Sequence, residues 1–318
     1  MSTAQTWIDQ TRNMLLSGYV EELLTLSSPN ASTTAANFTI TGAGSSGIVP
    51  GVVIEIGSEL CYVKDVQNSL VTTMRGYAGS TATAHLVDTL VRVSPKFPEH
   101  RIIESLNNDL ADLSAPDNGI FQMKYTSFEY QAAVDGYNLK DANGNNLTSA
   151  DVISIYSVSY ADIGVTAMEP DVQSWRLKRN RNTSTFASGL ALILYSGAQP
   201  GRNITVNYKS PLTAVTDSST LLTATGLDPT AYDLPPLGAA LALMSTTPIR
   251  REFLDAQGSS RRAEEVPPGA ISASMRDLRS RRIQRIESEA SRIASQYPQL
   301  WGRNSALANN YWYAGINR

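Results

Sequence analysis

GVVIEIGSELCYVKDVQNSLVTTMRG, residues 51–76, decides the fold class of this 318-residue chain. Its β-branched and aromatic side chains come in short runs, each cut by Gly, Ser or Asn. That is the composition of antiparallel strands joined by tight turns. The pattern continues outward, with NFTIT (37–41) before it and DTLVRVS (88–94) after it. Four or five strands in roughly 55 residues predict a small barrel or sandwich, taken here as 31–94.

On either side the period turns helical. Ile8, Leu15, Tyr19, Leu23 and Leu26 recur at three- and four-residue spacings, and with Thr6 as a cap they predict a helix from Thr6 to Leu26. EHRIIESLNNDLADL (99–113) places Ile102, Ile103, Leu106, Leu110 and Leu113 on one stripe, and Pro116 and Gly119 stop it. A second, larger β region follows, in which FQMKYTSFEYQAAV, DVISIYSVSYA, DVQSWRLKRN, LALILYSG and NITVNYKS alternate as sandwich strands do. LPPLGAALALMST (234–246) has proline in its first turn, and residues 270–296 form the longest helical stretch. The predicted class is α+β. A discontinuous helical bundle core (1–30, 95–116 and 217–297) carries two inserted antiparallel β domains, a small barrel or sandwich at 31–94 and a β-sandwich at 117–216. An extended C-terminal tail, 298–318, follows.

Composition narrows the function classes. Hydrophobic content of 42% and charged content of 17% describe an ordered globular chain, and a net charge of −3 argues against a surface that grips nucleic acid throughout. One cysteine, Cys61, excludes an internal disulfide framework and a cysteine metal cluster, and two histidines, His85 and His100, leave little for zinc or for acid–base work. No basic stretch precedes an apolar run at the N-terminus, and no run approaches the roughly 20 apolar residues of a membrane span. Gly42-Ala-Gly44-Ser-Ser-Gly47 matches a dinucleotide fingerprint in letters alone, since IVPGVVIEIG cannot supply the helix that must follow. Asp141-Ala-Asn143-Gly144-Asn145 opens like a calcium loop but lacks its sixth-position glycine and twelfth-position glutamate, so a hairpin turn accounts for it better. Neither histidine sits in a nucleophile motif. The expectation is a protein without catalytic residues, cofactor or metal.

Two features point instead to assembly. Arg276, Arg279, Arg282 and Arg285 lie on the longest helix, where solvated intrahelical pairs compete with a role as a ring interface or channel face. The acids Asp277, Glu287 and Glu289 interleaved there favour a protein interface over DNA. Trp301, Tyr311, Trp312 and Tyr313 concentrate aromatic area in the tail, either folded back on the chain's own core or docked on a partner.

The segment MRGYAGSTATAHLVDTLVRVSPKFPEHRIIESLNNDLADLSA, residues 74–115, resembles structural proteins of tailed bacteriophages. Its Arg75-Gly76-Tyr77-Ala78-Gly79-Ser80-Thr81-Ala82-Thr83-Ala84-His85 is similar to a turn that closes a small β module in tail and neck proteins, and the helix after it looks like that of head–tail adaptors, or connectors. The resemblance implies a homo-oligomeric ring, usually of twelve subunits, between the portal protein and the next neck or tail protein. Packaged DNA would pass through it without sequence-specific binding. It further implies a protein made in the host cytoplasm and carried in the virion neck, with the tail engaging the portal. The alternatives are a tail or baseplate protein, and a carbohydrate-binding or carbohydrate-cleaving module that stacks a sugar on Trp175 in the second β region.

Overall fold

The computed structural model describes residues 2–16, 21–30, 32–134, 136–160, 170–172, 174–195, 201–246 and 270–298. The chain divides into two compact units, Met1–Leu110 with Thr213–Arg285, and Ala111–Leu212 with Ile286–Arg318. The architecture is mixed α+β, and the strand pairs of its sheets are antiparallel.

The first unit opens with helix α1 (Ala4–Leu16), whose Trp7, Ile8, Thr11 and Arg12 are buried. Strands β1 (Glu22–Thr25), β2 (Asn37–Thr39), β3 (Val53–Ile56), β4 (Glu59–Gln67), β5 (Leu70–Met74) and β6 (Leu90–Val93) form one sheet in the order β1-β6-β3-β4-β5-β2. Its core is built from Leu26, Phe38, Ile40, Ile54, Ile56, Cys61, Val63, Val71, Val91 and Val93. The two edge strands meet where they run on. Leu26 bridges Ile40, the Ser27 N–H donates to the Thr39 carbonyl at 2.9 Å, and the Thr41 N–H donates to the Thr25 carbonyl at 2.9 Å.

β1 corrects the sequence expectation of a helix to Leu26. A helical period pairs Leu23 with Leu26, whereas a strand places Leu24 and Leu26 on one face. The sheet takes the second option: Leu24 and Leu26 join the core, and Leu23 is left 52% exposed. Pairing along the whole of β1 with β6, from Glu22↔Val93 to Thr25↔Leu90, outweighs a local preference that Gly18 already weakens.

Helix α2 (Glu99–Leu113) buries Ile102, Ile103, Leu106, Leu110 and Leu113, the stripe its period predicts. The Asn107 side chain acts as a strand partner for Val215, donating to its carbonyl at 2.8 Å and accepting from its N–H at 2.7 Å. Helix α3 (Leu234–Thr246) packs on α1, and the Trp7 ring meets Tyr232, just before α3, edge-on at 5.6 Å. Gly238 lies directly against α2, and a Cβ there would fall 1.6 Å from Asp109 Oδ1. Asp109 cannot retreat freely, because Arg282 of helix α4 (Ala270–Gln296) donates to it at 2.6 Å.

In the second unit, β7 (Gln122–Glu129), β8 (Tyr137–Asn138), β9 (Ser154–Tyr160), β10 (Trp175–Lys178), β11 (Ala191–Leu194) and β12 (Asn203–Ser210) make two three-stranded sheets, β7-β12-β9 and β10-β11-β8. Strict alternation on β12 turns Ile204, Val206 and Tyr208 inward, where they share one core with Leu139, Val158, Leu190 and Leu192. The Asp141 loop is a hairpin turn, as its letters suggest. Lys140 bridges Asn146, Gly144 adopts φ +85°, and the Asp141 carboxylate accepts from the Asn143 and Asn145 N–H groups at 2.9 and 2.8 Å.

Gly238→Ala forces the α2–α3 contact apart and is expected to lower the unfolding free energy by about 1–3 kcal/mol. Urea denaturation of the full chain measures it, and an unchanged midpoint contradicts the packing described.

Candidate functional site

The residues of the Arg75–His85 segment converge on one carboxylate that the sequence does not advertise. Glu59, the first residue of β4, is fully buried. Arg75 donates to it through Nε at 2.9 Å and Nη2 at 2.6 Å, and the Gly76 and Thr83 N–H groups donate at 3.1 Å each. The His85 Nε2–H completes the set at 2.8 Å, since an ionised carboxylate accepts and cannot donate. Burial alone raises the Glu59 carboxyl. The hydrogen bonds from His85, Arg75, Thr83 and Gly76 together outweigh it and hold the group well below the ordinary value.

Arg75 is fixed from its other sides as well. It donates to the Ser32, Ala35 and Thr83 carbonyls and lies over the Phe38 ring at 5.0 Å. Gly76 sits at φ +61°, and a Cβ there would meet the Ser80 carbonyl oxygen at 3.3 Å, so the turn needs glycine at that position. Ser80 links the turn to β4 by accepting from the Leu60 N–H at 2.9 Å.

This cluster brings together the single cysteine and one of the two histidines, but not as a catalytic triad. A triad histidine stands between nucleophile and acid. Here Glu59 stands between them, because the Cys61 Sγ–H and the His85 Nε2–H both donate to it, at 3.5 and 2.8 Å. Burial, aided by the Glu59 charge, pushes the Cys61 thiol up to about 12, the opposite of activation. His100 lies at the start of α2, where burial and then Arg101 hold it below its ordinary value. Among the described residues, neither of its ring nitrogens has a hydrogen-bonded hydroxyl or thiol.

What the hub builds is a presented turn. His85 exchanges two backbone hydrogen bonds of 2.8 Å with Asn30, the Asp88 N–H donates to the Leu26 carbonyl at 2.9 Å, and the Thr89 hydroxyl closes on the Leu86 carbonyl at 2.7 Å. The tip between these ties holds Leu86 77% and Val87 49% exposed, beside an exposed Asp88 at φ +63°.

A second buried carboxylate joins the helices to the sheet. Glu55 of β3 accepts from Arg12 of α1 at 2.9 Å and from Arg92 of β6 at 3.4 Å, and it also accepts the Glu99 N–H at the start of α2. The Glu99 carboxylate lies 3.7 Å from Arg12 and 3.9 Å from Arg92, and Glu21 lies 3.7 Å from Arg92. Three carboxylates thus share two guanidinium groups. Burial pushes Glu55 up to about 7 against the pull of Arg12, the Glu99 N–H and Arg92, with the Glu99 charge adding to the rise.

The arginines singled out on α4 divide. Arg276 and Arg279 are exposed. Arg282 is committed to Asp109, and Arg285 grips Asp233 with two bonds of 2.8 and 2.9 Å while donating to the Thr230 carbonyl at 2.7 Å. The last two therefore tie the part of α4 up to Arg285 to α2 and to the residues before α3, all within the first unit. Trp301, Tyr311, Trp312 and Tyr313 lie outside the described residues. Trp175 is half-buried and packs against the core of the second unit. Gly42-Ala-Gly44-Ser-Ser-Gly47 folds into a 3-10 turn over Ala43–Ser45, and no α-helix begins there.

The second unit also holds an open cleft of about 470 Å³ lined by Gly119, Phe121, Lys209, Ala290, Ala294 and Tyr297. Lys209 Nζ lies over the Phe121 ring at 4.3 Å, and burial holds its ammonium below the ordinary value. Tyr297 is kept in place by the Phe121 and Tyr156 rings at 6.1 and 5.9 Å, and the Tyr156 hydroxyl donates to the Pro298 carbonyl at 2.9 Å.

Two outcomes check these assignments. Glu59→Gln leaves Arg75 buried without its counter-charge and is expected to cost about 3–5 kcal/mol in urea denaturation. A loss under about 0.5 kcal/mol contradicts the hub. Glu55 has a folded value of about 7 against an ordinary 4.5, so the unfolded chain releases this proton first as pH rises. Its contribution to stability is full below pH 4.5 and is lost on rising to about 7. Glu55→Gln is expected to flatten that fall, on the order of 3 kcal/mol, in denaturation measured across the same range. An identical pH profile in the variant contradicts the assignment.

No family model matches the chain, and no curated protein sequence is found similar to it.

Proposed function

We propose that the chain is a virion assembly subunit of the head–tail adaptor kind, acting by protein–protein contact and not by catalysis. The observation that carries this reading is how the Arg75–His85 segment is used. Its guanidinium, its imidazole and two of its N–H groups all donate to Glu59, and the turn tied down in this way holds two aliphatic side chains in solvent. Exposed apolar groups on a fixed scaffold are what an interface needs and what an isolated subunit gains nothing from. In this reading the six-stranded sheet is a small barrel closed at the Leu26–Ile40 bridge, and the second unit is a sandwich around its shared core. The assembled state is a ring of subunits, twelve in the family it resembles, set between the portal and the next neck component. It continues the DNA conduit without reading sequence.

Such a ring is heterologous, each subunit offering one surface to the neighbour ahead and another to the neighbour behind. Exposed Arg276 and Arg279 remain candidates for its interface or channel face, and residues 298–318 for the contact with the portal. Immunogold labelling of the phage particles that carry this chain is expected to mark the neck, and label confined to the distal tail contradicts the adaptor reading. Deleting residues 299–318 is expected to leave a folded, soluble subunit that no longer binds portal in a pull-down. Unimpaired binding contradicts the docking tail.

A further inference from the structure

We infer that the turn at Leu86, Val87 and Asp88 of one copy seats in the Lys209 cleft of the next copy, giving the proposed ring its subunit contact. The inference rests on the assembly reading above and deepens it by naming the two surfaces.

The two surfaces match in chemistry and number. The tip is two aliphatic side chains beside one carboxylate, and among the described residues no cation pairs with Asp88. The cleft is a small apolar trough with one ammonium, and among the described residues no carboxylate pairs with Lys209, whose neighbour is the Phe121 ring. The trough is opened by small side chains. Ala290 and Ala294 line one wall, and Gly119, at φ +67°, comes close enough that an added Cβ would meet the Ala290 methyl at 3.6 Å. Leu86 and Val87 can cover the apolar walls while Asp88 reaches the ammonium. That removes apolar surface from water and gives each charge a partner as water leaves.

Both halves are preorganised, which limits the entropy lost on contact. The tip is tied at Asn30, Leu26 and Thr89, and the cleft is framed by the Tyr297–Phe121 and Tyr297–Tyr156 ring contacts. A single turn in a cleft is a small contact, well under the roughly 1,200 Å² of a stable pair. It therefore suits a ring in which many weak, directional contacts act together, with tip and cleft at separate sites on each subunit, as a heterologous interface requires.

The test uses the full-length chain at low salt, with self-association followed by sedimentation velocity and rings counted by negative-stain microscopy. Asp88→Lys and Lys209→Glu are each expected to weaken self-association at least about tenfold, because each sets like charges together in the contact. Each variant keeps one surface intact, so an equimolar mixture of the two is expected to associate again. In a second arm, Val87→Cys and Ala294→Cys chains are mixed under oxidising conditions, and a mixed disulfide dimer exceeding either self-dimer is expected. Full-length chain that forms rings while both charge variants associate like the wild type, with no mixed dimer, overturns the contact and leaves the assembly reading standing. Absence of rings together with absence of the mixed dimer overturns both.

Discussion

A buried carboxylate held by five N–H hydrogen bonds from four residues is the constraint on which the first unit depends. Glu59 is fully enclosed, and an isolated carboxylate there would be far too costly to leave ionised. It stays ionised because the chain returns to it from several places: Arg75 at the end of β5, the Gly76 and Thr83 N–H groups within the turn, and His85 beyond it. The order of residues in the segment follows from this geometry. Arginine supplies a two-pronged donor that lysine cannot, glycine permits the left-handed backbone that aims its own N–H inward, and histidine ends the turn at the bridge to Asn30. Remove the carboxylate and those donors have no common target.

Glu55 is a second instance with a different balance. It joins α1, β3, β6 and the start of α2, but its two guanidinium groups are shared with Glu99 and Glu21. The donors win at Glu59 and burial wins at Glu55, so one carboxyl is driven down and the other up. Asp109 and Asp233 repeat the motif at Arg282 and Arg285. Helices and sheet are therefore fastened by guanidinium–carboxylate contacts laid over apolar packing. Only six of the 26 basic residues are lysine, and a contact that must donate, orient and desolvate at once suits the planar fork of arginine.

Much of this organisation is legible in the sequence, and the failures have physical causes. The α2 stripe and the alternation on β12 are read correctly because burial on one face writes a period into the letters. β1 is misread because Leu23 and Leu26 satisfy a helical spacing, while the strand that forms uses Leu24 and Leu26, a choice made by β6 across the sheet. Glu59 and Glu55 leave a fainter trace. Each is an acid on a face or in a run otherwise apolar, ELCYV and VVIEIG, and a buried acid in such a place demands cations from elsewhere in the chain. Arg75 and His85 are conspicuous as letters, yet nothing local names their shared target. The α4 arginines look equivalent in sequence, and only the fold separates exposed Arg276 and Arg279 from Arg282 and Arg285, which are held by acids more than 50 positions away.

A turn fixed by a buried hub can hold Leu86 and Val87 in solvent without collapsing onto its own core. Rigidity of that turn is the property everything else requires. Amide hydrogen exchange at Gly76, Thr83 and Asp88 in the full-length chain measures it directly. Exchange no faster than that of the core strand amides at Cys61 and Val63, which open with the whole sheet, is the expected result. Exchange at the rate of exposed loop amides would contradict the hub and the presented turn together.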